Sequence, residues 1–216
     1  MPVKMWIGSE LNPMDGLFTS NEACLSEIGN AVSLIRDNPL PLLMLRPSNF
    51  HMPKCKELID NVFDCLENGF GFCLLDRLPL EDMTVNEAKS IYWLLSQMLG
   101  RPVAQKWCDG RMLYSVTDLG RPSGNGVRPD VTNEEQSFHT DNSYNICPPN
   151  IVGLLCLQPS MSGGLSRVVN MKTVLERMET SNKTHIQRLY RPFVFDSQKE
   201  HSELDPATLE NPILNL

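Results

Sequence analysis

The sequence lacks several features that would place it in a specialised class of protein. Its seven cysteines are odd in number and include no Cys-x-x-Cys pair, so neither a disulfide framework nor a structural zinc site is indicated. No apolar run is long enough to span a membrane, and the apolar stretch at the start is too short for a signal peptide. We therefore expect a cytoplasmic protein in which most cysteines are reduced packing residues.

The sequence also lacks an excess of basic residues, which excludes another group of partners. It carries 26 Asp and Glu residues against 19 Lys and Arg residues, a net charge of -7 with an isoelectric point near 5.1. Nucleic acids and anionic membranes are bound through basic patches, so neither is an expected partner. With 216 residues the chain is long enough for one globular domain, and a small-molecule partner is the expectation.

Apolar residues at helical spacing predict three helices in the first hundred residues. The first covers residues 21–37, and the second begins near Pro53 and ends at residues 68–69. The third follows a Thr-x-x-Glu capping-box pattern at residues 84–87 and runs as far as Gly100. Two shorter helices are expected further on, at residues 171–178 and 184–190.

After residue 100 the pattern changes to short strand-like runs between loops rich in Gly, Pro, Asn and Asp. Strands are predicted at residues 71–75, 112–116, 151–157, 166–169 and 192–196. There is no internal repeat and no break in composition that would demand a second domain. We therefore predict a single domain over residues 1–216, helical to about residue 100 and β-rich from about residue 101.

His139 and Asp141 form the first candidate metal-binding pattern. On a strand, residues two apart project from the same face, so the imidazole and the carboxylate would lie side by side. They would supply two ligands of a 2-His-1-carboxylate triad, which binds one side of iron(II) and leaves positions open for a cosubstrate and dioxygen. A chain with four histidines contains a His-x-Asp match by chance about one time in five, so the surrounding sequence must decide.

Several motifs follow His139 in order. They are Phe-His-Thr-Asp-Asn-Ser-Tyr at residues 138–144, Pro-Pro at 148–149, Gly-Gly-Leu-Ser at 163–166 and Val-Asn-Met at 169–171. This order and spacing resemble the taurine-dioxygenase-like (TauD/TfdA) family of iron(II)- and 2-oxoglutarate-dependent dioxygenases. Flanking segments extend the resemblance over roughly residues 53–196.

The resemblance implies roles for three residues. His139 and Asp141 would be iron(II) ligands, and 2-oxoglutarate would be the cosubstrate. Ser166 matches the hydroxyl residue of the family's Gly-Gly-x-Thr motif, which helps to bind a carboxylate of 2-oxoglutarate; serine keeps the hydroxyl and loses a methyl group. A turn residue after Gly-Gly is the alternative interpretation of Ser166.

The resemblance also implies a reaction and a fold. The reaction is oxidation of a small molecule with dioxygen, and the retained carboxylate of Asp141 favours hydroxylation or desaturation over halogenation, because it fills the position that a halide would take. The expected fold class is α+β or mainly β: a double-stranded β-helix, related to the jelly roll, with flanking N-terminal helices.

Two parts of the family's site are not found. The family uses a second histidine well over a hundred residues after the His-x-Asp pair, and an arginine beyond it that binds 2-oxoglutarate. Only residues 142–216 follow Asp141 here. The expectation is a chain that ends partway through the fold, with the closing strands missing. The alternative is a catalytically inactive pseudoenzyme that acts as a binding module.

Two histidines follow Asp141 and must be weighed as ligands. His185 falls beside the apolar face of a predicted helix, which is typical of a surface or half-buried residue. His201 lies in a polar stretch that is typical of a loop, although some 2-oxoglutarate oxygenases use shorter ligand spacings. A metal hydrolase built on His139, Asp141 and His201 is a further alternative, but no general base or activated nucleophile accompanies it. His51 is interpreted as a loop residue.

Variable loops select the substrate in enzymes of this kind, so the sequence does not identify it. Residues 104–135 carry four cations that would suit an anionic substrate or would simply be solvated: Lys106, Arg111, Arg121 and Arg128.

Overall fold

The chain divides into a helical unit and a second unit that contains His139. The computed structural model describes residues 3–105, 109–122, 127, 129–143, 147–197 and 206–214. The helical unit comprises Met1–Pro102, Gly153–Gln158 and Val169–Val174, and the second unit comprises Val103–Val152, Pro159–Val168 and Leu175–Leu216. That residues 1–216 form a single domain stays a prediction.

Helix α1 spans Glu22–Asp37, which confirms the predicted helix over residues 21–37. Asn21 begins it, because its side-chain oxygen accepts a hydrogen bond of 2.9 Å from the backbone N–H of Cys24. One face of the helix is buried, and it carries Cys24, Ile28, Ala31, Val32 and Ile35. The helix therefore packs through a single apolar face, as the spacing of its residues predicted.

Helix α2 spans Pro53–Asn68, as predicted, but the preceding residue provides no side-chain cap. The cap comes from α1 instead: Glu27 accepts hydrogen bonds from the backbone N–H groups of Lys54, at 2.9 Å, and Cys55, at 2.9 Å. Partial burial raises the pKa of Glu27, but the backbone donors, the Cys55 side chain and His51 together lower it by more, so its pKa lies below the ordinary value. A carboxylate on one helix thus fixes the start of the next.

Helix α3 spans Val85–Leu99 and begins with the predicted capping box. Thr84 accepts from the backbone N–H of Glu87 at 3.3 Å, and Glu87 accepts from the backbone N–H of Thr84 at 2.7 Å. Glu87 also accepts from Arg36, at the end of α1, with 2.8 Å between Nε and Oε1. The Arg36 guanidinium and the Thr84 N–H together lower the pKa of Glu87 to about 2.

The core of the helical unit lies between these three helices. Its fully buried side chains include Ile28 and Cys24 of α1, Cys55 of α2, and Ile91 and Leu94 of α3. The Sγ atoms of Cys24 and Cys55 lie 3.0 Å apart, and the six described cysteines are free thiols. Among the helices of the described residues, none is long and apolar enough to cross a membrane.

The N-terminal segment both donates and accepts side-chain hydrogen bonds within the helical unit. The Trp6 indole N–H donates to the carbonyl of Phe70 at 2.7 Å. The amide of Asn170, which is buried, donates to the carbonyl of Lys4 at 2.8 Å, and the hydroxyl of Thr173 donates to the carbonyl of Trp6 at 3.0 Å. Asn170 directly precedes a helix that begins at Met171, so it connects the start of that helix to the N-terminal segment.

The remaining elements are short. Strand β1 (Leu17–Thr19) pairs in parallel with β2 (Leu74–Asp76), where a strand was predicted at residues 71–75. Helices α4 (Met171–Ser181) and α5 (Lys183–Leu189) confirm the two shorter helical predictions. Strand β3 (Phe193–Asp196) confirms the prediction at residues 192–196 and pairs antiparallel with β4 (Thr208–Asn211).

Three predicted strands are wrong. Residues 112–116, 151–157 and 166–169 form no strand in the structure. An apolar run favours extended backbone, but a strand also needs a partner at a matching register, and the run itself does not specify one. In the part of the chain that the structure describes, β1–β4 form two separate two-stranded sheets, so the jelly roll is not confirmed.

The Glu27 cap predicts a specific loss of stability. We expect Glu27→Ala to lower the free energy of unfolding by about 1 kcal/mol, because the first backbone N–H groups of α2 lose their acceptor. Urea unfolding followed by far-UV circular dichroism measures this. Glu67→Ala is the matched control, since it removes the same charge from the other end of α2, where a carboxylate is not favoured. Equal losses in the two variants would contradict the capping role.

The low pKa of Glu87 predicts a dependence of stability on acid. Because its pKa is about 2 in the folded chain and about 4.3 when unfolded, its contribution is present above pH ~4.3 and is lost as the pH falls toward 2. Glutamine can keep the capping box but not the charge. We therefore expect Glu87→Gln to lower the melting temperature at pH 7 and to weaken its fall between pH 5 and pH 2.

Glu57→Gln is the control for this measurement, since Glu57 pairs with Lys54 on the exposed face of α2. Its melting temperatures should follow those of the parent chain at every pH. An unchanged acid profile in Glu87→Gln would contradict the assigned role.

Candidate metal centre

His139 and Asp141 lie in the second unit, after a short 3-10 turn at Pro129–Val131. The prediction that they lie on a strand is wrong: His139 has no regular secondary structure, and Asp141 begins a turn. Asn142, which follows, has a φ of 50°, in the left-handed region that asparagine tolerates better than most residues. A turn therefore stands where the sequence pattern predicted a strand.

The two side chains nevertheless approach each other. The Nε2 atom of His139 lies 3.3 Å from the Oδ1 atom of Asp141, and the side chains are 49% and 50% exposed. Two ligand atoms at right angles around a metal, each at about 2.1 Å, would be separated by about 3.0 Å. The observed separation is close to that value, so the pair fits adjacent positions on one cation.

The other ring nitrogen of His139 is fixed by the backbone. Its Nδ1 atom lies 2.8 Å from the carbonyl oxygen of Ser137. A carbonyl only accepts hydrogen bonds, so Nδ1 is the donor in this contact, and Nε2 is the ring nitrogen that faces Asp141 and would bind a metal. Histidine ligands of metals are held in the same way, with the second ring nitrogen donating to a carbonyl or carboxylate.

The structure does not complete the set of ligands. Among the described residues, no group of three or more His, Cys, Asp and Glu side chains could hold a metal ion. His185 is exposed on α5, and His51 is an exposed loop residue before α2 in the helical unit. His201 lies outside the described residues. The described part of the chain therefore offers one nitrogen ligand and one carboxylate ligand.

The Gly-Gly-x-Ser segment forms a tight turn. Gly163 and Gly164 have φ values of 74° and 69°, a conformation that favours glycine, and a Cβ atom on Gly164 would lie 2.5 Å from the Oγ of Ser160. Ser160 closes the turn by donating to the carbonyl of Gly163 at 3.0 Å. Ser166 follows it with its side chain exposed, where a small ligand can reach the hydroxyl.

One side chain links this turn to the segment before His139. Arg167 pairs with the carboxylate of Glu135, and its Cζ atom lies 5.7 Å from the centre of the Phe138 ring. Sequence reasoning missed this contact. The only signal was the opposite charge of two residues 32 positions apart, and no sequence pattern joins such a pair without the fold.

The structure describes two of the four cations of residues 104–135. Arg111 pairs with Asp109, with 2.7 Å between Nε and Oδ2, and Arg121 is exposed. Lys106 and Arg128 lie outside the described residues. An anionic-substrate pocket in this segment stays a prediction.

Comparison with known proteins agrees with the motifs around this pair. FR-33289 synthase of Streptomyces rubellomurinus (strain ATCC 31215) is 26% identical over 198 residues, which are 91% of this chain and 56% of that protein. The chain thus spans about half the length of the curated relative that it matches. The sequence model of the family described as "Taurine catabolism dioxygenase TauD, TfdA family" matches residues 37–213. Because this match covers most of the chain, the protein belongs to the TauD/TfdA family.

Proposed function

We propose that His139 and Asp141 bind iron(II) in an oxygenase that uses 2-oxoglutarate and dioxygen to hydroxylate or desaturate a small molecule. The approach of Nε2 and Oδ1 to 3.3 Å, in a chain of this family, carries the proposal. The family is generally iron(II)- and 2-oxoglutarate-dependent and acts on small molecules with dioxygen. An inactive binding module is not favoured by these comparisons.

The chemistry of the two donors suits this metal. A neutral imidazole nitrogen and a carboxylate oxygen are the ligand types of the 2-His-1-carboxylate iron(II) sites, and they leave other positions open for exchangeable ligands. The Ser137 carbonyl holds the His139 ring so that Nε2 faces Asp141, whose carboxylate would supply a negative charge to a bound metal ion. Bound iron(II) would supply the activation of dioxygen, coupled to oxidation of 2-oxoglutarate to succinate and carbon dioxide.

Ser166 would bind the cosubstrate. Its hydroxyl can donate a hydrogen bond to a carboxylate oxygen of 2-oxoglutarate, and a bond to a charged acceptor is stronger than one between neutral groups. The exposed position of Ser166 after the Gly163-Gly164 turn supports this role, because the hydroxyl is accessible to a ligand.

Metal binding tests the two ligands. We expect the 216-residue chain to bind manganese(II), a redox-stable substitute for iron(II), and we expect His139→Ala and Asp141→Ala each to weaken binding at least ten-fold, because each removes one donor atom. Isothermal titration calorimetry measures the affinity. If a complete enzyme is assayed, succinate formation should depend on iron(II) and 2-oxoglutarate and disappear in His139→Ala.

His185→Ala is the matched control, because it removes an exposed imidazole from α5 and should leave metal affinity unchanged. His201→Ala tests the alternative hydrolase site. Undiminished metal binding in both His139→Ala and Asp141→Ala would sink the assignment of these ligands.

The role of Ser166 gives a separate prediction. We expect Ser166→Ala to weaken 2-oxoglutarate binding to the manganese-loaded chain by about ten-fold or more, because one hydrogen bond to a charged group is lost. Ser166→Thr should keep the affinity within a few-fold, since it keeps the hydroxyl. Calorimetric titration with 2-oxoglutarate measures both. If the alanine and threonine variants bind equally well, Ser166 is a turn residue and not a ligand for 2-oxoglutarate.

A further inference from the structure

We infer that Arg167 is a positioning residue that holds the Ser166 turn against the segment leading into His139. The inference rests on the proposed function, in which Ser166 and His139 serve one site. It concerns residues of the second unit alone.

Arg167 contacts that segment at two points. Its guanidinium pairs with the Glu135 carboxylate, and its Cζ atom lies 5.7 Å from the centre of the Phe138 ring. Glu135 and Phe138 are four residues and one residue before His139, and Arg167 directly follows Ser166. One side chain therefore connects the backbone next to the candidate cosubstrate ligand with the backbone next to the candidate metal ligand.

Neither of the connected segments belongs to a regular element. Residues 133–140 and 159–168 take no part in β1–β4 or α1–α5, so the sheets and helices of the described residues do not set the distance between them. A side-chain connection has more influence on the relative position of two loops than on that of two paired strands. Arg167 is placed to provide that connection.

Arginine suits these two contacts better than lysine does. A planar guanidinium can pair with a carboxylate and stack on an aromatic ring at the same time, whereas the compact ammonium of lysine holds a charge without a plane. Arg167→Lys therefore separates the two contacts.

The Arg167–Glu135 pair is exposed to solvent, so it can be altered without unfolding the chain. The side chains of Arg167 and Glu135 are 62% and 74% exposed, and exposed ion pairs contribute little to folding stability. Variants at these positions should keep the fold. A change at the site would then report positioning and not unfolding.

Hydrogen–deuterium exchange on the millisecond timescale tests the connection without any metal. We expect Arg167→Ala to speed exchange in peptides from both residues 135–141 and residues 159–168, with α1–α3 unchanged, and Arg167→Lys to speed it less, because lysine keeps the charge that pairs with Glu135 and loses the plane that contacts Phe138. The charge-reversed double variant Glu135→Arg with Arg167→Glu should recover part of the protection in both peptides, because it restores the ion pair with its charges exchanged but not the contact of residue 167 with Phe138.

Binding of 2-oxoglutarate to the manganese-loaded chain tests whether the connection serves the site. We expect Arg167→Ala to weaken binding several-fold and the charge-reversed double variant to recover part of the loss, because it restores the ion pair alone. Arg188→Ala is the matched control: Arg188 is also an exposed arginine of the second unit, with its Cζ atom 3.6 Å from the centre of the Phe193 ring and hydrogen bonds to the carbonyls of Arg191 and Pro192. It should change neither exchange in the two peptides nor 2-oxoglutarate affinity.

The outcomes separate this inference from the proposed function. Unchanged exchange in Arg167→Ala overturns the positioning role while metal and 2-oxoglutarate binding stand. Loss of 2-oxoglutarate binding that the double variant does not recover also overturns it, because Arg167 would then contact the ligand directly. A parent chain that binds no metal overturns the proposed function, and the positioning role with it.

Discussion

The first backbone N–H groups of a helix need acceptors, and the helical unit depends on how carboxylates meet that need. Four such groups are left unpaired at the start of every α-helix. In α2 the acceptor is Glu27 of α1, and in α3 it is Glu87, which also pairs with Arg36 of α1. Both connections lead back to α1. Its apolar face and these two polar contacts together set the positions of the other helices.

The helices could be predicted from the sequence because their determinants are local. The Thr84–Glu87 capping box and the proline at the start of α2 lie within one turn of the helix boundaries that they specify. The Glu27 cap could not be predicted, since it joins residues of two helices. The strands at residues 112–116 and 151–157 failed for the same reason: a strand is a property of a pair of segments, and the apolar pattern describes only one.

At the candidate site, too, local features were predicted from the sequence and features that depend on the fold were not. The motifs around His139 correctly indicated the family. They also identified His139, Asp141 and Ser166 as candidate residues of one site. The backbone that carries the pair was predicted as a strand and is a turn at Asn142, yet the two side chains lie close together. Spacing of two residues allows this approach in more than one backbone conformation. The family implies a double-stranded β-helix, while the described residues contain two small sheets.

The exposure of the His139–Asp141 pair to solvent affects which metal ion would bind there. With about half of each side chain in contact with solvent, an ion held there would exchange with the surrounding solution and would not be trapped when the chain folds. One imidazole and one carboxylate also discriminate poorly among divalent first-row metals, whose affinities follow a common order for most sites. The supply of metal ions in the medium, rather than the pair itself, would then decide occupancy.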